Sequence, residues 1–460
     1  LNNFIKLKIF LLKFINHNLN YMHVVLYSTL RNQLKFVLNL FIIFTQWICC
    51  KCFLIPVKII KYIFNCIMEK KGTRTVLISG GSTVQTLHLA RNFYCSGTRV
   101  IICEIEGHFQ LANFSFAVDK FYTLPKPKDD TCYFKYLNAL KNIIEEEKVS
   151  YYIPVNATNE AFYDALAKTQ LKLNNNCFVF VPTVKEVLLL DDFYQVLKTC
   201  RNIGLNTPSY HYITSFHDIK KLYDSGIFET GYYFMINVGR SGIGQRIEIE
   251  IPKYLKDFNF SHEISTSMPW MIVQNIKGDR YITCTTIKNA VVEGNVICRE
   301  GKNDDDDLIP IDNKEINDWI QTFFNKIEFR TICGHFTFRF VIPHSTNSVI
   351  PLDCRVGVSL PYICFTSVHS RILWKPCKHF SKKNSSRLLV EKPRYWISDA
   401  ILSILNRLSM ETLMKFFKTI LNKQEAVFVY WDPIPCCAYN FLQKPFKKIF
   451  DFIEVLGNIN

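Results

Sequence analysis

Four short runs rich in β-branched and aromatic residues, TVLISGG from Thr75, RVIICE from Arg99, SYYIPV from Ser150 and CFVFVP from Cys177, follow one another along the chain. Helical patterns separate them: TVQTLHLARNFYCSG, CYFKYLNALKNIIEEEK and TNEAFYDALAK. Strand and helix alternating at this spacing predict a parallel sheet with crossover helices covering both faces. That constraint excludes all-helical and all-β architectures for the region after Arg74. The first turn, SGGSTVQT, ends a strand and opens a helix, and Glu104 closes the second strand. The pattern has the outline of a dinucleotide fold but lacks its third glycine.

Beyond Pro182 the texture changes. Two helical stretches, VKEVLLLDDFYQVLKTCRNIG and FHDIKKLYDSG, bracket the strand SYHYIT. Then come YYFMINV, QRIEIEIP, WMIVQNI, DRYITCTTIKN, HFTFRFVI and SVIPLDCRV, several of which alternate polar with apolar as antiparallel strands covered on one face do. The second half is therefore expected to be α+β. Between two of these strands lies VGRSGIGQR, Val238 to Arg246. Glycine lets backbone N–H groups approach an anion, which suits a loop lying over phosphates. A hairpin turn is the plainer alternative. The preceding strand offers no lysine to meet a nucleotide. The run NDDDD, Asn303 to Asp307, reads as a solvated loop, because adjacent carboxylates repel and lack calcium-loop spacing.

At 460 residues, with 48% hydrophobic and 21% charged, the chain can hold two or three globular domains. Its formal charge of +15 is unevenly placed. Residues 1–75 carry 11 Lys/Arg and one acid, a net of +10, which leaves +5 for the remainder. No basic stripe with interleaved aromatics follows, so nucleic acid is not an expected partner. Basic charge beside apolar runs suits an anionic membrane surface instead. The run FVLNLFIIFTQWICCKCFLIP, Phe36 to Pro56, is about the ~20 residues that cross a bilayer, though Asn39, Gln46 and Lys51 interrupt it and leave an interfacial helix as the alternative. The chain begins with Leu1, and Met22 and Met68 are the first internal candidates for a start. The 17 cysteines are scattered, with no Cys/His set spaced for zinc, and read as buried thiols of a reducing compartment. No Ser/His/Asp or Cys/His catalytic set is evident.

Six pieces, in order, carry a family likeness: LISGGSTVQTLHLARNFYCSGTRVIICE, AVDKFYTLPKPKDD, YYIPVNATNEAFYDALAK, LLLDDFYQVLKTCRNIGLNTP, PWMIVQNIKG and YWDPIPC. Over roughly Thr73 to Pro435 the chain resembles the ATP-grasp superfamily, and more narrowly the ligases of mycosporine-like amino acid biosynthesis. The resemblance implies a hydrophobic helical leader over 1–72, with a candidate membrane helix at about 36–56. A Rossmann-like pre-ATP-grasp domain over 73–185, an ATP-grasp domain over 186–367 with its Gly-rich loop at 239–244, and a helical or irregular region over 368–460 would follow. It implies ATP and Mg²⁺ as cofactors, a small-molecule substrate joined to an amino acid, and a cytoplasmic domain held at a membrane.

The same resemblance assigns the nucleotide to Gly239, Arg240, Ser241, Gly242, Gly244, Gln274 and Ile276, and a metal carboxylate to Asp353. It also exposes substitutions. Phe193 follows Asp191 and Asp192 where a lysine is expected, and Lys198 is no evident replacement. Ile236 stands for a second lysine, Gln274 for a hinge glutamate, and Arg339 and Arg355 for metal ligands. An arginine where Mg²⁺ should bind repels the ion. The expectation is an ATP-dependent carbon–nitrogen ligase by descent with impaired chemistry; the alternative is a non-catalytic relative that binds a ligand or partner. Both require Ile236, Gln274, Arg339 and Asp353 to face one cavity between two sheets.

Overall fold

The computed structural model of the chain describes residues 74–127, 130–156, 160–174, 177–238, 247–300, 308–346, 348–364, 393–406, 409–445 and 447. The hydrophobic leader with its candidate span at 36–56, the Gly-rich loop 239–246 and the acidic run 303–307 lie outside the described residues. Among the described residues no helix is long and apolar enough to cross a membrane.

The first layer is a five-stranded parallel sheet: β1 (Thr75–Ile78), β2 (Arg99–Ile105), β3 (Lys120–Leu124), β4 (Tyr151–Ile153) and β5 (Phe178–Val179). Its order is β3-β2-β1-β4-β5, so the chain builds outward from β1 and then reverses to add β4 and β5. The crossovers run through α1 (Val84–Cys95), α2 (Asp130–Glu146) and α3 (Ala161–Asn174). Alternate strand residues feed opposite cores: Leu77, Ile101 and Tyr152 on one face, and Val76, Ile102 and Ile153 on the other. Both faces are apolar because both are covered, which is why these strands read as continuous hydrophobic runs.

The turn between β1 and α1 is closed by protein, not shaped for a dinucleotide. Gly80 adopts φ +75°, and the α1 cap Thr83 accepts a hydrogen bond from the Thr86 amide. The buried Glu104 carboxylate accepts the Ser82 amide at 2.6 Å, taking the donor a phosphate would use. A Cβ on Gly81 would lie 2.6 Å from Phe121 and 2.7 Å from Ile102, so this glycine serves close packing. The dinucleotide reading of SGGST falls on these contacts.

Next come α4 (Val184–Leu190) and α5 (Phe193–Asn202), joined by the two aspartates. Asp192 caps α5 by accepting the Tyr194 amide, and Asp191 accepts the Val356 amide at 3.1 Å. The paired acids thus pin the helix junction to a distant strand. Phe193 is buried in the core and Lys198 is exposed.

Two antiparallel sheets form the second half. The smaller contains β6 (Tyr210–Ile213), β7 (Tyr233–Asn237), β8 (Glu248–Ile251) and β9 (Trp270–Gln274) in the order β6-β9-β7-β8. It contributes Ile213, Tyr233, Met235, Trp270 and Ile272 to a core with Ile219 of α6 (Phe216–Asp224) and Phe228 of α7 (Ile227–Thr230). The larger has β10 (Gly278–Lys288), β11 (Val291–Arg299), β12 (Ile309–Ile311), β13 (Gly334–Pro343) and β14 (Ile350–Val356), ordered β12-β11-β10-β13-β14. Against it lies α8 (Lys314–Lys326), whose Trp319 and Phe323 meet Phe338 edge-on. The sequence reading passed over α8 and the strands β3, β11 and β12.

The parallel pair β15 (Arg394–Tyr395) and β16 (Gln424–Glu425), with α9 (Ile397–Asn406), α10 (Met410–Asn422) and α11 (Ile434–Ala438), follows. This segment is tied to α1 by a buried network. Arg91 Nε donates to Asp432 Oδ2 at 2.8 Å and Nη1 to the Val427 carbonyl at 2.7 Å, while Ser115 Oγ also donates to Asp432. The motif YWDP therefore has a structural role. All these elements belong to one unit, Lys70–Ala438; the short π-helical turn Tyr439–Gln443 belongs to another. Among the described residues the cysteines are free thiols and most are buried.

Candidate functional site

Period-two alternation builds the site. On β7, Tyr233 and Met235 enter the small-sheet core, which turns Phe234 and Ile236 to the opposite face. On β8, Ile251 enters that same core, so Glu248 and Glu250 share the face of Phe234 and Ile236 and lie directly across from them. This face looks onto the larger sheet across a cleft of about 280 Å³ lined by Phe234, Glu248, Glu250, Asn275, Arg280, Arg339 and Leu352.

Opposite signs line the two walls. The small sheet presents Glu248 and Glu250; the large sheet presents Arg280 from β10 and Arg339 from β13. Arg280 Nη2 donates to Asn275 Oδ1 at 2.9 Å, bracing the turn between β9 and β10. Arg339 Nε pairs with Glu300 Oε1 at 2.9 Å. Burial alone would lower the Arg339 pKa, but the Glu300 carboxylate, helped by Asp353 and Glu248, outweighs it and holds the group above its ordinary value. This guanidinium is charged at any ordinary pH.

Asp353 sits opposite Arg339 in the β13–β14 register, beside a bulge that makes Leu352 an extra residue. Bulges re-aim side chains, and here Leu352 also reaches the cleft. The Asp353 carboxylate is already engaged: Oδ2 takes Arg355 Nε at 3.2 Å and Oδ1 takes the Cys354 amide at 2.9 Å. Arg355 is itself buried. A divalent cation beside Asp353 would displace one guanidinium and face another, with no second carboxylate from β13. Among the described residues no group of three or more His, Cys, Asp or Glu could hold a metal ion. These residues do not fit Mg²⁺.

The residues singled out from sequence separate as follows. Ile236 is on the cleft-facing side of its strand but is buried, packing with Met271 and Val273 in the main core. Arg339 lines the cleft and Asp353 stands across from it. Gln274 pairs with Tyr233 and so shares its face, turned from the cleft, while its neighbour Asn275 lines it. Ile276 is half-buried in the β9–β10 turn and does not line the cleft. Gly239, Arg240, Ser241, Gly242 and Gly244 lie outside the described residues. Of the four side chains predicted to share a cavity, Arg339 alone lines the cleft: the register of β9 turns Gln274 away, Ile236 is packed in the core, and Asp353 is not part of the lining.

Glu248, Glu250, Arg280 and Glu300 escaped sequence reading. The alternation EIEI carried the signal for the first two, since an acid at every second position marks one wet face of a strand.

No family model matches the sequence, and the search of curated proteins found no match. Solved structures do match. The ADP complex of an N5-carboxyaminoimidazole ribonucleotide synthetase superposes with a TM-score of 0.51 at 9% identity, covering 73% of this chain and 85% of that one. The fold is the ATP-grasp fold. Biotin carboxylase from Campylobacter jejuni in a β,γ-ATP complex gives 0.49 at 12% identity, over 70% of this chain and 74% of that one. The L-amino acid ligase from Bacillus licheniformis gives 0.43 at 13%, over 65% and 69%. At such identities the likeness is one of fold, and the chemistry rests on the side chains of this chain. In this ATP-grasp fold the cleft lies between the two antiparallel sheets, and its large-sheet wall is basic.

Proposed function

We propose that this chain is a non-catalytic ATP-grasp relative: its cleft binds a small polar ligand, and it does not run magnesium- and ATP-dependent carbon–nitrogen ligation. One observation carries the reading. At the β13–β14 register where paired carboxylates would hold the metal, Arg339 faces Asp353, and Asp353 is already neutralised by Arg355 at 3.2 Å. Phosphoryl transfer depends on metal ions that neutralise developing charge on the phosphates. The acidic wall of Glu248 and Glu250 adds to the difficulty, because it repels a polyphosphate that arrives without its cation.

The competing ligase reading, with ATP and Mg²⁺ as cofactors, draws its support from the fold, and its narrowest form, glycine joined to a deoxygadusol, from the sequence resemblance alone. For that reading Arg280 and Arg339 would have to neutralise the phosphates themselves. Titration of the purified chain with ATP, with and without Mg²⁺, separates the two by thermal shift. A ligand at a hundred times its Kd stabilises by about 2.7 kcal/mol, so millimolar ATP binding near 10 μM is easily seen. The expected result is no shift in either condition. A shift that requires Mg²⁺ would overturn the proposal and restore the ligase.

A further inference from the structure

The helix α10, METLMKFFKTILN, has no buried residue. Its partly covered positions are Thr412, Leu413, Phe416 and Thr419, which form one side. On the other side Met410 is 76% exposed, Met414 65%, Phe417 59% and Leu421 74%. Their spacing of four, three and four residues lines them into a single stripe roughly 16 Å long at 1.5 Å per residue. The preceding α9 exposes Ile401 and Leu402, each at 43%. Scattered exposed apolar residues need no explanation, but an ordered stripe of four large ones marks a surface that something covers.

Charge points to what covers it. Beside the stripe the helix carries Lys415 and Lys418, and Lys423 follows its end, against the single acid Glu411. A convex apolar stripe with lysines at its border matches a bilayer surface, where thioether, phenyl and isobutyl groups enter the acyl boundary and ammonium groups meet anionic headgroups. A protein partner would call for a complementary groove and a smaller excess of one sign.

We propose that α10 is an interfacial helix, which docks the ATP-grasp body on an anionic lipid surface through Met410, Met414, Phe417 and Leu421. It would lie in the plane of the interface, not across the membrane. The proposal is independent of what occupies the cleft.

The test uses the full chain and vesicles of phosphatidylcholine alone or with phosphatidylserine. The variant M414E/F417E changes only exposed positions, so its melting temperature should equal that of the parent. Its partition onto phosphatidylserine vesicles should fall by at least about tenfold, because two apolar side chains leave the acyl boundary and two carboxylates meet like-charged lipid. A second variant, M414W, reports locally: its added fluorescence should shift to the blue and be quenched by brominated lipid only when phosphatidylserine is present. Unchanged partition of M414E/F417E, with no quenching of the added tryptophan, overturns the proposal, whatever affinity the leader contributes. Concentration-dependent dimerisation that M414E/F417E abolishes, without effect on vesicle binding, would assign the stripe to a second copy of the chain and overturn it equally.

Discussion

Arg339 and Asp353 stand directly opposite each other on β13 and β14, yet each commits its charge elsewhere, Arg339 to Glu300 and Asp353 to Arg355. Two ion pairs thus occupy the positions where the resemblance places metal ligands. The arrangement is locally neutral, which explains how arginines persist at positions that the ATP-grasp resemblance assigns to metal ligands.

Changing the pair should create a metal site at these strands. In R339D/R355N, Asp353 is freed of Arg355 and gains a carboxylate across the strands, while Glu300 loses its partner and adds a third. Titration with Mn²⁺, followed by the loss of its free-ion electron paramagnetic resonance signal, should show one site near or below millimolar Kd, worth about 4 kcal/mol or more. The parent chain should show none there. Absence of Mn²⁺ binding in a folded double variant would mean that these strands do not converge as described.

Ile236 supplies a test of the sheet face. It is 2% exposed and lies opposite Glu248 across β7 and β8. Opposed residues in an antiparallel pair have Cβ atoms about 4.5–5.5 Å apart, so a lysine at 236 would have a carboxylate within reach. I236K should cost roughly 1–3 kcal/mol in urea unfolding, moderated by that partner. Adding E248Q to I236K should cost clearly more than E248Q alone, by about 1 kcal/mol in the double-mutant cycle. A coupling of zero would put the two side chains on different faces.

Burial of a carboxylate gives a pH dependence of stability. Asp164 is pushed up to about 6 by burial, and hydrogen bonds donated by Tyr136 and Tyr152 oppose the rise without cancelling it. Its folded pKa exceeds the unfolded value of about 3.9, so between them the folded state keeps a proton that the unfolded state has lost. The stabilisation is therefore complete below about pH 4 and is lost as pH rises toward 6, at up to about 1.4 kcal/mol per unit. The difference in unfolding free energy between parent and D164N should follow that curve and flatten above pH 7. A difference that stays constant from pH 4 to 7 would remove Asp164 as the titrating group.

Much of the fold was legible because local pattern decides it. Four of the five parallel strands before Pro182 announced themselves as apolar runs, β3 with its exposed Lys120 and Thr123 did not, and both faces of that sheet are indeed covered. The helix α8 was legible too, with Asn313 capping it and Ile316, Trp319, Ile320 and Phe323 at helical spacing, but a run of expected strands masked it. The cleft was legible only in part. Arg339 and Asp353 could be named from motif order, whereas the pairing of Arg339 with Glu300, 39 residues away, depends on how loops return beside a sheet. Gln274 failed for a similar reason, since a one-residue step along a strand exchanges its faces.

Arg91 and Asp432 make the last prediction, because both are buried and no solvent can replace either partner. Burial lowers the Arg91 pKa, and Asp432 counters it most among the neighbouring charges, so the guanidinium depends on this carboxylate. Removing one member leaves the other charged and uncompensated, which costs about 3–5 kcal/mol. D432N should fall in that range, and it also weakens the bonds that Ser115 and the Phe116 amide donate to the carboxylate. R91M/D432L removes both charges and should be less destabilised than the sum of its single variants by about 2 kcal/mol or more. Because Arg91 also binds the Val427 carbonyl, the loss should appear first as faster amide exchange around β16 and α11. Additive single-variant costs, or exchange that accelerates uniformly across the chain, would show that this ion pair does not fasten the C-terminal segment to α1.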